Sequence, residues 1–126
     1  MQLQESGEMY LETILILSQK QKRVRAIDVG EYMGFSKPSV SRAMSLLRSG
    51  GFVSTDEEGC LVLTDCGREV AEKTYERHRI LTELFISFGV SEKTAMEDAC
   101  KIEHDISDET FYLLKAHFTK LSDKSK

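Results

Sequence analysis

The stretch FSKPSVSRAMSLLRSGG, residues 35–51, decides the fold. Ser36 suits a helix N-cap, because its hydroxyl can accept one of the first backbone N–H groups that lack a helical partner. Pro38 suits the first turn, where its missing N–H costs nothing. Gly50 and Gly51 stop the helix. Just upstream, AIDVGEYMG (26–34) reads as another short helix ending at Gly34, a good C-cap residue. Two short helices separated by a tight turn make a helix-turn-helix. Downstream, FVSTDEEGCLVLT (52–64) offers the β-rich runs Phe52–Thr55 and Cys60–Leu63 around a turn at Asp56–Gly59. Such a hairpin is the wing of a winged helix.

The flanks are helical. EMYLETILILSQ (8–19) places Tyr10, Leu11, Ile14, Leu15 and Leu17 inward. Thr64 can cap a long helix over 65–89, on which Val70, Tyr75, His78, Leu81, Phe85 and Phe88 recur near helical spacing. Ser91 starts a further helix that contains Cys100, Glu103 and His104, within DACKIEHDISDE (98–109). The last helix covers 107–122, with Phe111, Leu114, Phe118 and Leu121 as a stripe suited to a core or dimer surface. The fold class is mainly α. A winged helix-turn-helix DNA-binding domain over 1–72 precedes an all-helical domain over 73–126.

Composition bounds the function. At 126 residues, 40% hydrophobic and 30% charged, the chain has the make-up of one globular domain or two very small ones. No apolar run approaches the roughly 18–20 residues of a membrane span. The start MQLQESGEMY lacks a basic region followed by an apolar one, so a cytoplasmic location is expected. Cys60, Cys66 and Cys100 are odd in number and irregularly spaced, which speaks against a disulfide framework. The net charge of −4 hides a segregation. Residues 19–49 carry seven basic side chains against two acidic ones, while 92–109 carry seven acidic against two basic. One segment suits phosphates and the other suits cations.

Helix-turn-helix geometry sets the start of the second helix in the major groove of double-stranded DNA. Here that start is Ser36, Lys37, Pro38, Ser39, Ser41 and Arg42. Short hydroxyl side chains allow close approach, and Arg42 can reach a guanine edge. Lys37 and Arg25 suit phosphates.

A second constellation suits a metal. Cys100, Glu103 and His104, at i, i+3 and i+4, fall on one face of the helix that Ser91 starts, within about one turn. A thiolate, a carboxylate and an imidazole so placed can share a transition-metal ion, or the cysteine can be a small core residue beside a solvated flank. The first helix adds Met9 and Glu12, and the long helix adds His78. Each has an ordinary structural alternative, but together they form a mixed N/O/S set that no packing rule requires.

EMYLETI (8–14), SKPSVSRAM (36–44), LVLTDCGREVA (61–71), RHRILTELF (77–85) and EDACKIEHDISDE (97–109) together resemble the diphtheria toxin repressor and manganese transport regulator family of metal-dependent repressors. The resemblance implies a winged-helix domain and a helical dimerisation and metal-binding domain, and a homodimer reading a near-palindromic operator is expected from them. It leaves no room for that family's optional SH3-like domain. It implies Met9, Glu12, His78, Cys100, Glu103 and His104 as metal ligands. Met9 and Cys100 match the iron-responsive branch, and Glu12 matches the manganese branch. The other three match both. Thr82 stands where a carboxylate is expected, with Glu83 one position late, and Met96 replaces an ancillary histidine, so a second metal site departs from the pattern. Thioether and thiolate disfavour Mn²⁺ relative to Fe²⁺, Co²⁺, Ni²⁺ or Zn²⁺. Fe²⁺ is therefore the expected physiological ion and Mn²⁺ the runner-up, with Zn²⁺, Co²⁺ or Ni²⁺ able to bind in vitro.

Two other readings compete. A winged-helix regulator could act without metal, its acidic region being a dimer surface or a small-molecule pocket. A small zinc hydrolase is suggested by the likeness of Cys-x-x-Glu-His to an inverted zinc-protease motif. Cys100 replaces that motif's first histidine and the chain is short for a substrate cleft, so no enzymatic activity is expected.

Overall fold

In the first helix, α1 (Glu5–Lys20), Leu11, Ile14 and Leu15 are almost wholly removed from water, and Tyr10 and Leu17 are buried beside them. These are the inward positions that the periodicity predicts. The structure, a computed structural model, describes residues 5–124, with side chains described for 6–120. Among the described residues there are six helices and one two-stranded sheet, in the order α1, α2 (Ala26–Met33), α3 (Lys37–Ser49), β1 (Val53–Thr55), β2 (Leu61–Leu63), α4 (Asp65–Ser87), α5 (Glu92–Ile102) and α6 (Asp108–Lys124). None of the described helices is long and apolar enough to cross a membrane. The chain divides into two compact units, with the division inside α4, between Thr74 and Tyr75.

In the first unit α1 packs on α2, α3 and β2. Tyr10 meets Phe35 edge-on, with ring centroids 5.9 Å apart. Gly34 ends α2 in the left-handed region at φ 74°, and its N–H donates to the Gly30 carbonyl. Ser36 then caps α3 by accepting from the Ser39 N–H, with Pro38 in the first turn. Val40, Met44 and Leu47, at i, i+4 and i+7, form the buried face of α3. The wing pairs Val53 with Leu63 and Thr55 with Leu61. Asp56 holds its turn, its Oδ1 accepting from the N–H groups of Glu58 and Cys60 at 2.9 Å each. Leu61 also donates to the Val24 carbonyl at 2.7 Å, a tie from the wing to the loop before α2 that the sequence did not reveal.

The wing joins α4 at a close approach. Thr64 donates through its hydroxyl to the Gly51 carbonyl at 2.7 Å and through its N–H to the Phe52 carbonyl at 3.1 Å. It also caps α4, accepting from the Gly67 N–H at 3.1 Å. A Cβ on Gly67 would fall 1.9 Å from the Phe52 carbonyl oxygen, so glycine is required there.

In the second unit Ser91 caps α5 through the Thr94 N–H, and Ser107 caps α6 through the Thr110 N–H. Two expectations need correction. The helix expected to carry Cys100, Glu103 and His104 together ends at Ile102. Glu103 is its C-cap, and His104 lies in the turn that leads to α6. Phe88, expected within a long helix over 65–89 and near helical spacing with His78 and Leu81, is 70% exposed. The helix ends one residue earlier and Gly89, at φ 101°, turns the chain away. The buried positions of α4 are Gly67, Ala71, Thr74, Arg77, Ile80 and Leu81. On α6 Phe111 is buried, with Leu114 and Phe118 half-buried, and the Leu121 side chain lies outside the described residues.

Candidate metal centre and DNA-facing helix

The exposed side of α3 is hydroxylic and basic. Ser36, Lys37, Pro38, Ser39, Ser41 and Arg42 are all exposed, because Val40, Met44 and Leu47 take the inward face. The Ser36 hydroxyl also donates to that of Ser39 at 3.0 Å, so two of the short polar side chains are pre-arranged at the helix start. Arg25 is exposed at the start of α2, where its backbone N–H donates to Asp28 Oδ2 at 2.9 Å. Further along, Arg48 reaches the wing, donating to the Thr55 hydroxyl at 3.2 Å. The expected DNA-facing residues are thus all exposed in the first unit.

In the second unit the structure brings three expected ligands together. Glu103 is 2% exposed, a carboxylate almost fully withdrawn from water. Its Oε2 lies 2.9 Å from His78 Nδ1, and its Oε1 lies 3.2 Å from His104 Nε2. The His104 side chain is buried and that of His78 is partly so. A carboxylate in such a place needs positive charge beside it. Two donors about 2.1 Å from one transition-metal ion and at right angles to each other lie about 3 Å apart. The donor set and its spacing therefore fit a cation, with carboxylate and imidazole suited to Fe²⁺, Mn²⁺ or Zn²⁺. Cys100 is half-buried in the last turn of α5, three residues before Glu103. In the first unit Met9 is half-buried and Glu12 is buried on α1, one turn apart.

Arg77 was not anticipated. Its guanidinium donates through Nη1 to the carbonyls of Glu103 (3.1 Å) and Ile106 (2.5 Å), and pairs through Nη2 with the Asp108 carboxylate. The available signal was its position on α4. It follows Thr74 by three residues and precedes Leu81 by four, on the helix's inward face.

Two family models divide this chain at the wing. The model described as "Iron dependent repressor, N-terminal DNA binding domain" matches residues 2–61. The one described as "Iron dependent repressor, metal binding and dimerisation domain" matches residues 64–124. This chain belongs to the iron-dependent repressor family. That is a family of metal-dependent DNA-binding transcriptional regulators. Its two parts are a winged-helix DNA-binding domain and a helical dimerisation domain, the latter bearing the Glu103 cluster. Within the family the chain is 31% identical to an uncharacterised HTH-type transcriptional regulator of Methanocaldococcus jannaschii, over 97% of this chain and 99% of that protein. It is 33% identical to the transcriptional regulator MntR of Salmonella typhimurium, over 80% of this chain and 64% of MntR. A manganese-dependent transcriptional repressor solved with manganese superposes with a TM-score of 0.80 and 27% identity, over 90% of this chain and 52% of that one. The chain thus spans nearly the full length of its archaeal relative and about half to two thirds of the other two.

Proposed function

We propose that this chain is a metal-activated, homodimeric repressor that binds double-stranded operator DNA and controls metal-homeostasis genes in the cytoplasm. The observation that carries the proposal is the buried Glu103 carboxylate set between His78 and His104, in the part of the chain matched by the family's metal-binding model. The full ligand set is Met9, Glu12, His78, Cys100, Glu103 and His104. Met9 and Cys100 contribute sulfur, which favours Fe²⁺, with Mn²⁺ second. The Mn²⁺ named for one solved relative supports a site in which either ion can act.

The bound ion supplies the positive charge that makes clustered carboxylates and imidazoles favourable. The chain's own residues do the rest. Glu103 and His104 present donors from the turn after α5, and His78 presents one from α4. Met9 and Glu12 present theirs from the helix that supports α2 and α3. Occupancy thereby favours one arrangement of the dimer, with the two α3 helices about one DNA turn apart. Lys37 and Arg25 contact phosphates and Arg42 reads a base edge, while Ser36, Pro38, Ser39 and Ser41 keep the helix start narrow enough to enter the groove. Linkage requires DNA to tighten metal by the same factor that metal tightens DNA.

An anaerobic gel shift tests this, using upstream DNA of this gene and of metal-transport genes with Fe²⁺, Mn²⁺, Zn²⁺ or chelator. The expected result is a shift with metal that Glu103→Ala and His104→Ala abolish while both variants stay folded. A shift that chelator leaves intact would overturn the metal switch and leave a metal-independent winged-helix regulator.

A further inference from the structure

Arg77 is a cation with 6% exposure. Burying a cation is unfavourable unless it is paired and hydrogen-bonded, and here both terminal nitrogens, though not Nε, are engaged by one short segment. Nη1 holds the carbonyls of Glu103 and Ile106, and Nη2 holds the carboxylate of Asp108, the first residue of α6. The Phe111 ring covers the guanidinium, with its centroid 5.3 Å from Cζ. Glu103 caps α5, so its carbonyl belongs to a helix end whose carbonyls lack helical donors. The segment between α5 and α6 is thus fastened at both ends and in the middle by one side chain.

That segment carries Glu103 and His104. The Glu103 main chain faces Arg77, while its carboxylate faces His78 and His104. The guanidinium therefore orients the residue without consuming the oxygens a metal would take. We propose that Arg77 is a positioning residue of the metal centre, fixing the turn so that the Glu103 carboxylate and the His104 imidazole are presented together. The proposal rests on the reading of His78, Glu103 and His104 as metal ligands. A planar fork serves separated acceptors at once, which a lysine ammonium on a flexible stem does not reproduce. Groups that orient metal ligands typically change affinity by about 10–100-fold when lost.

The test uses the full-length protein under anaerobic conditions with Co²⁺, whose d–d absorption reports the geometry of its donors. Competition with a chelator gives its affinity, and far-UV circular dichroism of the metal-free protein reports the fold. Arg77→Lys is expected to keep the helical spectrum, to weaken Co²⁺ binding by about tenfold or more, and to shift the d–d band. Asp108→Ala, at a side chain 73% exposed, removes one arm of the clamp without opening a buried cavity, and is expected to weaken binding by a smaller factor. It decides the matter should Arg77→Lys fail to fold. Arg77 serving stability alone would lower the melting temperature and leave affinity and spectrum unchanged below it, which overturns the proposal. Wild-type protein that takes up no Co²⁺, or Glu103→Ala protein that binds it equally well, would instead overturn the metal reading and the role of Arg77 with it.

Discussion

Replacing Gly67 with alanine should destabilise the protein, although alanine is the better helix former. On propensity alone Gly67→Ala in α4 would add about 1 kcal/mol of stability. The structure sets a steric term against that gain. The new methyl would lie 1.9 Å from the Phe52 carbonyl oxygen, far inside any van der Waals contact, and its neighbour there is backbone rather than a yielding side chain. Relief requires the first turn of α4 to move off the start of β1. The movement would loosen the Thr64 N–H bond to the Phe52 carbonyl, the Thr64 hydroxyl bond to the Gly51 carbonyl, and the cap that the same hydroxyl gives Gly67 N–H. At about 1 kcal/mol for each hydrogen bond and about 1 kcal/mol for a cap, the loss is about 3 kcal/mol, leaving a net destabilisation of about 2 kcal/mol. Thermal and urea unfolding at fixed protein concentration, with chelator present, measure it. The melting temperature should fall by about 5–10 °C. A Gly67→Ala protein as stable as wild type, or more so, would refute the reasoning, because propensity would then have won.

Three further outcomes are expected. Ser36→Ala should cost about 1 kcal/mol by unfolding, whereas Ser36→Asp should keep the α3 cap and weaken operator binding by setting a negative charge at the groove, as fluorescence anisotropy would show. Arg42→Ala should cost about 1–3 kcal/mol of operator affinity and relax base preference at one position, while Lys37→Ala should weaken all sequences alike and lower the salt slope by about 1, a contrast read from binding isotherms at several salt concentrations. Burial raises the ionisation of the Tyr10 hydroxyl above its ordinary value of 10.0, so its contribution to stability is intact below that pH and lost as pH rises toward the raised value. Ultraviolet titration of wild type against Tyr10→Phe should show the missing phenol to be the late-ionising one, and an early one would contradict the packing.

The fold was legible where local chemistry and tertiary packing agree. Ser36, Pro38 and Gly34 each had a local reason to bound a helix, and each does. The periodicity of α1 fixed its inward face because all five apolar positions serve one core. Legibility failed where a long-range contact decides. Nothing near Gly67 in sequence announces the Phe52 carbonyl above it, and nothing near Val24 announces its bond to Leu61. At the candidate metal centre the residue types were readable but their scaffold was not. The spacing of Cys100, Glu103 and His104 suggested one continuous helix, yet α5 ends at Ile102 and a turn presents the last two. Arg77 holds the carbonyls of Glu103 and Ile106 in that turn, a contact made across 26 and 29 residues that local spacing does not announce. Periodicity treats an arginine on an inward face as an exception, so the residue that shapes the turn was passed over.

A protein with net charge −4 can still bind DNA because its charges are segregated. Lys37, Arg42 and Arg25 stand exposed around the helix-turn-helix, and the hydroxyls between them add no negative charge. The wing tip, by contrast, is acidic. Asp56 spends its carboxylate on the turn itself, and Glu58 pairs with Arg23 at 2.7 Å, leaving Glu57 exposed between them. Solvent-exposed pairs such as Arg23–Glu58 contribute little to stability, yet this one reduces the negative field beside the basic surface. The acidic segment at 92–109 repels phosphate and attracts cations. Non-specific affinity should then be low for a DNA-binding chain and only shallowly salt-dependent, since few phosphates are neutralised outside the α3 surface. Such a protein gains more from a correctly spaced pair of recognition helices than from general attraction to DNA. Under the proposed mechanism, that is the condition in which an ion that fixes the spacing acts as a switch.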